Sequence, residues 1–324
     1  MASISWTDKS TLAAVSISAT NSCPAFTSPL TSLYSITSTL ISSTFGAGTL
    51  DASTPSGTLL PSSWNLATSA LIAAVISTGD FPANHTRKYK FQAIKQSRET
   101  NKRINWQDYL SKEKVQELLK KEDISGLKVW KFLNSINKPI FLVPGNYEPY
   151  QKEFNKIIKP YKNLINCHMK LKEYKNYNII GYGYNSFPEI PQYELDKKVY
   201  KRRIKGLTKD YNKTKEKLTK LFKKATKQVI FITHNPPYNT PLDIVLWEGS
   251  PRYGDHLGSI ITKELIEEFK PIVCCSGHMH EHFNSYKLNK TLCLNPGENT
   301  TKNVTLEIKN NKATSSLKFS KLSL

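Results

Sequence analysis

Four apolar runs in this sequence each stop at a side chain that binds metals, and this constrains the fold more than any other feature. The runs are Leu71-Ile72-Ala73-Ala74-Val75-Ile76-Ser77-Thr78-Gly79-Asp80, Ile140-Phe141-Leu142-Val143-Pro144-Gly145-Asn146, Val229-Ile230-Phe231-Ile232-Thr233-His234 and Pro271-Ile272-Val273-Cys274-Cys275-Ser276-Gly277-His278-Met279-His280. Short apolar runs closed by turn residues read as buried strands. Alternate residues of an extended segment leave on the same side, so His278 and His280 can face one pocket while Met279 faces away. Taken alone, His-x-His is equally a solvated loop or a hydrogen-bonded core pair. Four strand ends delivering Asp, Asn, His and His-x-His point instead to a shared coordination site.

Composition divides the chain in two. Residues 1–78 contain 31 Ser or Thr and three charged residues, Asp8, Lys9 and Asp51. With −1 on that segment, residues 79–324 carry +21 of a chain whose net charge is +20. A reading-frame error and a Ser/Thr-rich or disordered leader both account for the contrast. Residues 1–69 are therefore left unassigned, and residues 70–324 are expected to form the folded domain. No run approaches the roughly 18 apolar residues of a membrane span, and no basic stretch leads into an apolar core as in a secretion signal. A soluble, cytoplasmic protein with no membrane partner is the expectation. Five cysteines do not make a disulfide framework in a chain of 324 residues. Cys274 and Cys275 read as small buried hydrophobes of a core strand.

Along the chain, a strand over 70–76 opens into a loop through Phe81-Pro82-Ala83-Asn84-His85, followed by a basic connector. Helical spacing over 111–134 places Val115, Leu118, Leu119, Leu127, Trp130 and Leu133 on a stripe that would cover a sheet. A strand at 140–143, a short helix near 153–158 and a strand at 177–182 follow. A long polar helix over 199–226 carries Leu207, Tyr211, Leu218, Leu221 and Phe222 inward. Residues 197–227 hold 14 Lys or Arg against two acids. A solvated face is the stronger reading of that run, because aromatics are not interleaved with the charges; a nucleic-acid surface is the other. Gly258 and Ser259 suit a helix start. Strands over 272–275 and 291–294 and a hairpin of 304–308 and 313–319 turning at Asn310-Asn311 complete the chain. Strands alternating with helices, then consecutive strands, imply packed sheets with helices outside.

These residues resemble the calcineurin-like metallophosphoesterases, whose motifs run Asp-x-His, Gly-Asp, Gly-Asn-His-Asp/Glu, His and Gly-His-x-His. Gly79-Asp80, Gly145-Asn146-Tyr147-Glu148, Thr233-His234 and Gly277-His278-Met279-His280 stand in the same order. Thr233-His234-Asn235-Pro236-Pro237-Tyr238-Asn239-Thr240-Pro241-Leu242-Asp243, His256-Leu257-Gly258-Ser259, Gly277-His278-Met279-His280-Glu281 and Asn295-Pro296-Gly297 look like the branch of predicted phosphoesterases related to cyclic-nucleotide phosphodiesterases. The resemblance implies a four-layer α/β/β/α sandwich with two divalent metal ions, Mn, Fe, Zn or Co, at the strand ends. It places Asp80 between the ions, Asn146, His234 and His278 on the second, and His280 on the first. Asp80, Asn146, Tyr147 and His234 are then the catalytic set, acting on a phosphomonoester or phosphodiester with a metal-bridging hydroxide as nucleophile. His256 is expected to contact the substrate or to cap a helix.

The chain departs from the family at two points. No Asp-x-His precedes Asp80, so the first metal lacks two ligands and the chain is expected to hold one ion more firmly than the other. Tyr147 stands where the family has a histidine that assists the leaving group, and a phenol of pKa near 10 is a poorer acid at neutral pH. His85 reads as a surface-loop residue, and His168 and His282 have no motif support. Two functions follow: a metal-dependent phosphoesterase acting on a phosphorylated small molecule or nucleotide, or an impaired relative that binds a metal, a nucleotide or nucleic acid.

Overall fold

The computed structural model of the chain describes residues 11–15, 73–100, 102–185, 189, 197–248, 250, 252–297 and 302–319. Its elements, in order, are β1 (Thr11–Val15), β2 (Val75–Ser77), α1 (Arg87–Thr100), α2 (Lys112–Ser135), β3 (Ile140–Leu142), α3 (Gln151–Ile158), β4 (Leu164–Asn166), β5 (Leu171–Tyr174), β6 (Tyr177–Tyr182), α4 (Lys197–Lys224), β7 (Gln228–Thr233), α5 (Ile260–Phe269), β8 (Val273–Cys275), β9 (Asn284–Leu288), β10 (Thr291–Asn295), β11 (Lys302–Lys309) and β12 (Lys312–Phe319), with a 3-10 turn at Trp106–Tyr109. The strands form two mixed six-stranded sheets, ordered β12-β11-β1-β2-β3-β4 and β5-β6-β7-β8-β10-β9.

The metal-ligand runs supply the parallel centre of each sheet. β2 pairs β3, and β7 pairs β8, in parallel register. Their C-terminal ends therefore lie side by side, as the crossover of parallel strands requires. Alternation along β7 and β8 divides their side chains between two cores. Ile230, Ile232, Val273 and Cys275 join a core with Val75, Ile140 and Leu142 of the other sheet. Val229, Phe231 and Cys274 pack instead with Leu218 and Phe222 of α4 and Leu265 of α5. Strands apolar on both faces read as continuous hydrophobic runs, which is the pattern the sequence carries.

Helices form where the sequence provides caps and stripes. Ser111 accepts the Lys114 N–H at the start of α2, and Ser259 accepts the Thr262 N–H at the start of α5. In α2 the buried stripe is Leu118, Val129, Trp130 and Leu133, whereas Leu119 and Leu127, expected on it, are exposed. The β11–β12 hairpin turns on Asn310 and Asn311, both at positive φ (48° and 61°), as a two-residue type I′ turn demands.

Three differences from the sequence expectation stand out. The basic connector is the helix α1, in which only Ala93 is buried among the apolar residues. β5 and β9, neither of which has a buried residue, are the strands at the two edges of their sheet. Thr11–Val15, from the stretch without period, forms β1 inside its sheet, antiparallel to β11 and parallel to β2 with Val15 opposite Ser77.

Candidate metal centre

Asp80, Asn146, His234 and His278 arrive at one point because their loops touch. A Cβ on Gly79, whose φ is +98°, would lie 2.2 Å from the Gly145 nitrogen, and one on Gly145 would lie 2.3 Å from Asp80 Oδ1. Only glycines allow the β2 and β3 loops this approach. Asp80 and His278 themselves sit at positive φ (62° and 59°), a conformation costly for non-glycine residues and often found at functional sites. The buried Glu148 carboxylate clasps the two loops: it accepts the Asp80 N–H (2.9 Å), the Phe81 N–H (2.6 Å) and the Gly145 N–H. Burial and the nearby Asp80 charge push its pKa up, and the three N–H donors oppose that shift.

His234 is fully buried, and its Nδ1 donates to the Thr78 carbonyl at 2.8 Å. In the neutral ring Nε2 then carries a lone pair. That lone pair faces Asn146 Oδ1 at 2.8 Å and His278 Nδ1 at 3.1 Å, while Asn146 Oδ1 lies 2.9 Å from His278 Nδ1. Asp80 Oδ2 stands 3.5 Å from His234 Nε2 and 3.3 Å from His280 Nε2. The candidate ligand atoms of Asp80, His234 and His278 all lie within 4.8 Å of one another.

The charges fit the same picture. Burial lowers the pKa of His234, and burial with the neighbouring His234 pushes His278 down to about 3, so both rings are neutral and can ligate. For Asp80, burial acts to raise the pKa, but His234, a hydrogen bond with His280 and the remaining imidazoles outweigh it and hold the carboxyl below the ordinary range. A carboxylate, an amide oxygen and two neutral imidazoles crowd together with too few protons to pair them. This donor set fits a divalent cation of the Mn, Fe, Co or Zn type.

Other sequence-singled residues lie around this point. The Tyr147 N–H donates to Asp80 Oδ1 at 3.0 Å, and its ring meets that of His280 edge-on at 6.1 Å. His256 Nδ1 is 2.7 Å from Asp243 Oδ1. Asp243, fully buried, also accepts the N–H groups of Asn239, Thr240 and Gly258 at 2.9–3.0 Å, fixing the loop from Pro236 to the start of α5. His282 Nε2 bonds to the Ile244 carbonyl at 2.7 Å and so ties that loop to the His-x-His turn. His85 lies beside Glu122 and Lys121 of α2, with its pKa lowered by burial. His168 accepts the Gly183 N–H on Nδ1 at 2.9 Å. Glu148 and Asp243 are the functional residues that motif reading names without a role; apart from His256 on Asp243, their partners are backbone N–H groups, which leave no mark in a sequence.

β1 ends at Val15. The residues next in sequence after Val15 are Ser16-Ile17-Ser18, and no histidine precedes His85. Among the described residues no helix is long and apolar enough to cross a membrane.

Residues 71–282 match the model of the calcineurin-like phosphoesterase family. An uncharacterized protein of Methanocaldococcus jannaschii is 28% identical over 161 residues, covering 48% of this chain and 63% of that protein. Among solved structures, a Thermus thermophilus protein aligns at 15% identity and TM-score 0.42 over 78% of this chain and 88% of its own. The phosphopantetheinyl hydrolase of Mycobacterium tuberculosis aligns at 10% identity and TM-score 0.42 over 70% and 80%. Those two alignments are too weak to bear on function, and assignment rests on the family match over the segment that bears every residue of the centre. The chain belongs to the calcineurin-like phosphoesterase family.

Proposed function

We propose that this protein is a metal-dependent phosphoesterase that hydrolyses a phosphomonoester or phosphodiester, built as the four-layer α/β/β/α sandwich with its reaction at the joined ends of β2, β3, β7 and β8. The observation that carries the reading is the convergence of Asp80 Oδ2, Asn146 Oδ1, His234 Nε2 and His278 Nδ1 with too few protons between them. A divalent ion held by these atoms would supply charge neutralisation at the phosphoryl oxygens and acidify water. Asp80, aimed by the Tyr147 N–H and faced by His280, would be the donor common to this ion and a second one on His280. His256, held on Nδ1 by Asp243, turns its other ring nitrogen away from that carboxylate, which suits it to a substrate oxygen.

Metal analysis of the purified protein together with hydrolysis of an aryl phosphodiester in added Mn²⁺ tests this directly. Bound metal and metal-dependent turnover are expected. Absence of both from a folded preparation would overturn the reading.

A second reading draws on one specific observation: among the described residues only Asp80 and His280 stand as ligands for the first ion, and two ligands rarely hold an ion. It makes the chain an impaired relative that retains one metal and binds a nucleotide or nucleic acid. Stoichiometric single-metal binding without turnover would favour it.

A further inference from the structure

Two exposed aromatic side chains meet where α1 approaches the loop before α5. Phe91 and Trp247 meet edge-on, ring centres 5.4 Å apart, with 41% and 52% of their surfaces exposed. Tyr253, on the same loop as Trp247, is 57% exposed. The loop is held rather than slack: Val245 N–H donates to the Asp255 carbonyl and Gly254 N–H to the Val245 carbonyl, each at 2.9 Å. Large apolar surfaces left in water mark interaction sites more often than accidents.

The charge around the rings has one sign along α1. Residues 87–95 contain Arg87, Lys88, Lys90 and Lys95 and no acid. Arg87 lies 5.6 Å from the Phe91 ring centre, one helical turn away on the same face. The acids nearby are Glu122, which accepts the Thr86 N–H just before α1, Glu99, close to Lys95 at 4.0 Å, Asp255, paired with Arg252 at 2.6 Å, Glu248 next to Trp247, and Glu281. The loop also reaches the candidate centre: Leu246 N–H faces Glu281 Oε1 at 3.4 Å, one residue beyond His280, and His282 holds the Ile244 carbonyl.

We infer that Phe91, Trp247 and Tyr253, with the basic face of α1, form a platform for single-stranded nucleic acid and deliver its phosphodiesters to the metal centre. Delivery rests on the phosphoesterase reading; binding does not. Unpaired bases are the ligands whose flat faces stack on exposed aromatics while their phosphates follow Lys and Arg. A duplex hides those faces, so a single strand is the occupant the platform selects. Among the described side chains of the Lys-rich α4, Tyr211 is only partly exposed and bonded to Glu264 of α5 and Phe222 is buried, which separates this surface from a merely basic one.

The test is fluorescence anisotropy of a labelled oligothymidine with the full chain in EDTA, so that metal plays no part. Binding that weakens with salt is expected, with about a tenfold loss in each of Trp247→Ala and Phe91→Ala, in line with stacking on a single ring. Lys90→Glu/Lys95→Glu should flatten the salt dependence. Both aromatic positions are half-exposed, and unchanged circular dichroism melts confirm that the variants fold. Equal affinity of wild type and Trp247→Ala, equal affinity for duplex, or binding to anionic vesicles but not to the oligonucleotide would each overturn the proposal. Hydrolysis of a small aryl phosphodiester, measured alongside, separates the outcomes: it persists if only the platform is wrong and fails if only the metal reading is wrong.

Discussion

Two buried imidazoles, His168 between β4 and β5 and His234 at the end of β7, are pushed below the ordinary histidine pKa by the same cause, burial, and meet opposite surroundings. The lone pair on His168 Nδ1 receives the Gly183 N–H. The lone pair on His234 Nε2 looks instead at an amide oxygen, a second imidazole and, farther off, a carboxylate. A buried neutral histidine whose lone pair finds a proton is complete as part of a core. One that must share at most a single proton, the one His278 Nδ1 can carry, with an amide oxygen costs free energy until a cation joins them. Both rings are buried, and burial lowers the pKa of each, so burial and charge alone could not have told ligand from scaffold.

The sharpest way to break that comparison is to delete each ring in turn. His278→Ala is expected to abolish stoichiometric metal and reduce phosphodiesterase activity to background, while His168→Gln, which keeps an acceptor for Gly183, retains both. His234→Ala should match His278→Ala in metal content, with a small extra loss of stability because the Thr78 carbonyl then lacks its donor. Metal analysis on gel-filtered samples reads all three. Metal retained in His278→Ala and His234→Ala would show that the convergence is not the binding site.

The centre can also be extended. β1 runs parallel to β2 with Val15 opposite Ser77, so the C-terminal end of β1 lies beside the strand end leading to Asp80. Ser16→Asp/Ser18→His supplies the Asp-x-His that the family carries before its Gly-Asp. A second equivalent of metal and a rise in turnover of about a hundredfold are expected if the lack of those donors limits the chain. One equivalent and an unchanged rate would mean that the first ion is held by other residues, or that hydrolysis proceeds without it.

A smaller effect separates the two rings by acid. The folded-state pKa of His168, pushed down to about 4 by burial with Lys217 and Lys170 nearby, lies below the 6.5 of the unfolded chain. Between those values the unfolded state binds more protons, so stability rises with pH there; the contribution is complete above about 6.5 and lost as pH falls through 4. Its full size is roughly 3 kcal/mol by linkage. Denaturant melts from pH 7 to pH 4 should therefore show a steeper decline in wild type than in His168→Gln. Parallel curves would place the His168 pKa near its ordinary value.

How much of this was legible in the sequence depended on the kind of partner each residue has. The strands leading to Asp80, Asn146, His234 and His278 were visible because both faces of each are buried, which writes an unbroken apolar run. The β11–β12 hairpin was visible because Asn310-Asn311 meets a specific backbone demand. The helix α1 was not, since Phe91 and Ile94 stay exposed and no buried stripe repeats along it. β5 and β9 lie at sheet edges where alternation is weak, and β1 is five residues inside a Ser/Thr-rich stretch. At the site, the ligands were legible as residue types at strand ends. The Glu148 clasp and the Asp243 clasp were not, because, His256 aside, each carboxylate meets backbone N–H groups that every residue possesses.

The smallest expected effect concerns Tyr147, whose backbone and side chain have separate parts. Its N–H holds Asp80 Oδ1 at 3.0 Å, a bond that any side chain at this position preserves. Its ring meets His280 edge-on, a contact phenylalanine also makes. The hydroxyl alone distinguishes the two, and a phenol with an ordinary pKa near 10 is a weak proton donor at neutral pH. Tyr147→Phe is therefore expected to change kcat for an aryl phosphodiester by less than about threefold, since an activated leaving group asks little of an acid. Tyr147→His keeps the backbone bond and adds a group that titrates near neutrality. For a poor alkyl leaving group it should raise kcat by about tenfold or more, with little change in KM, because a proton given only at the transition state leaves ground-state binding alone. A large loss in Tyr147→Phe with an unchanged Asp80-dependent metal content would instead make the phenol a working acid in this chain.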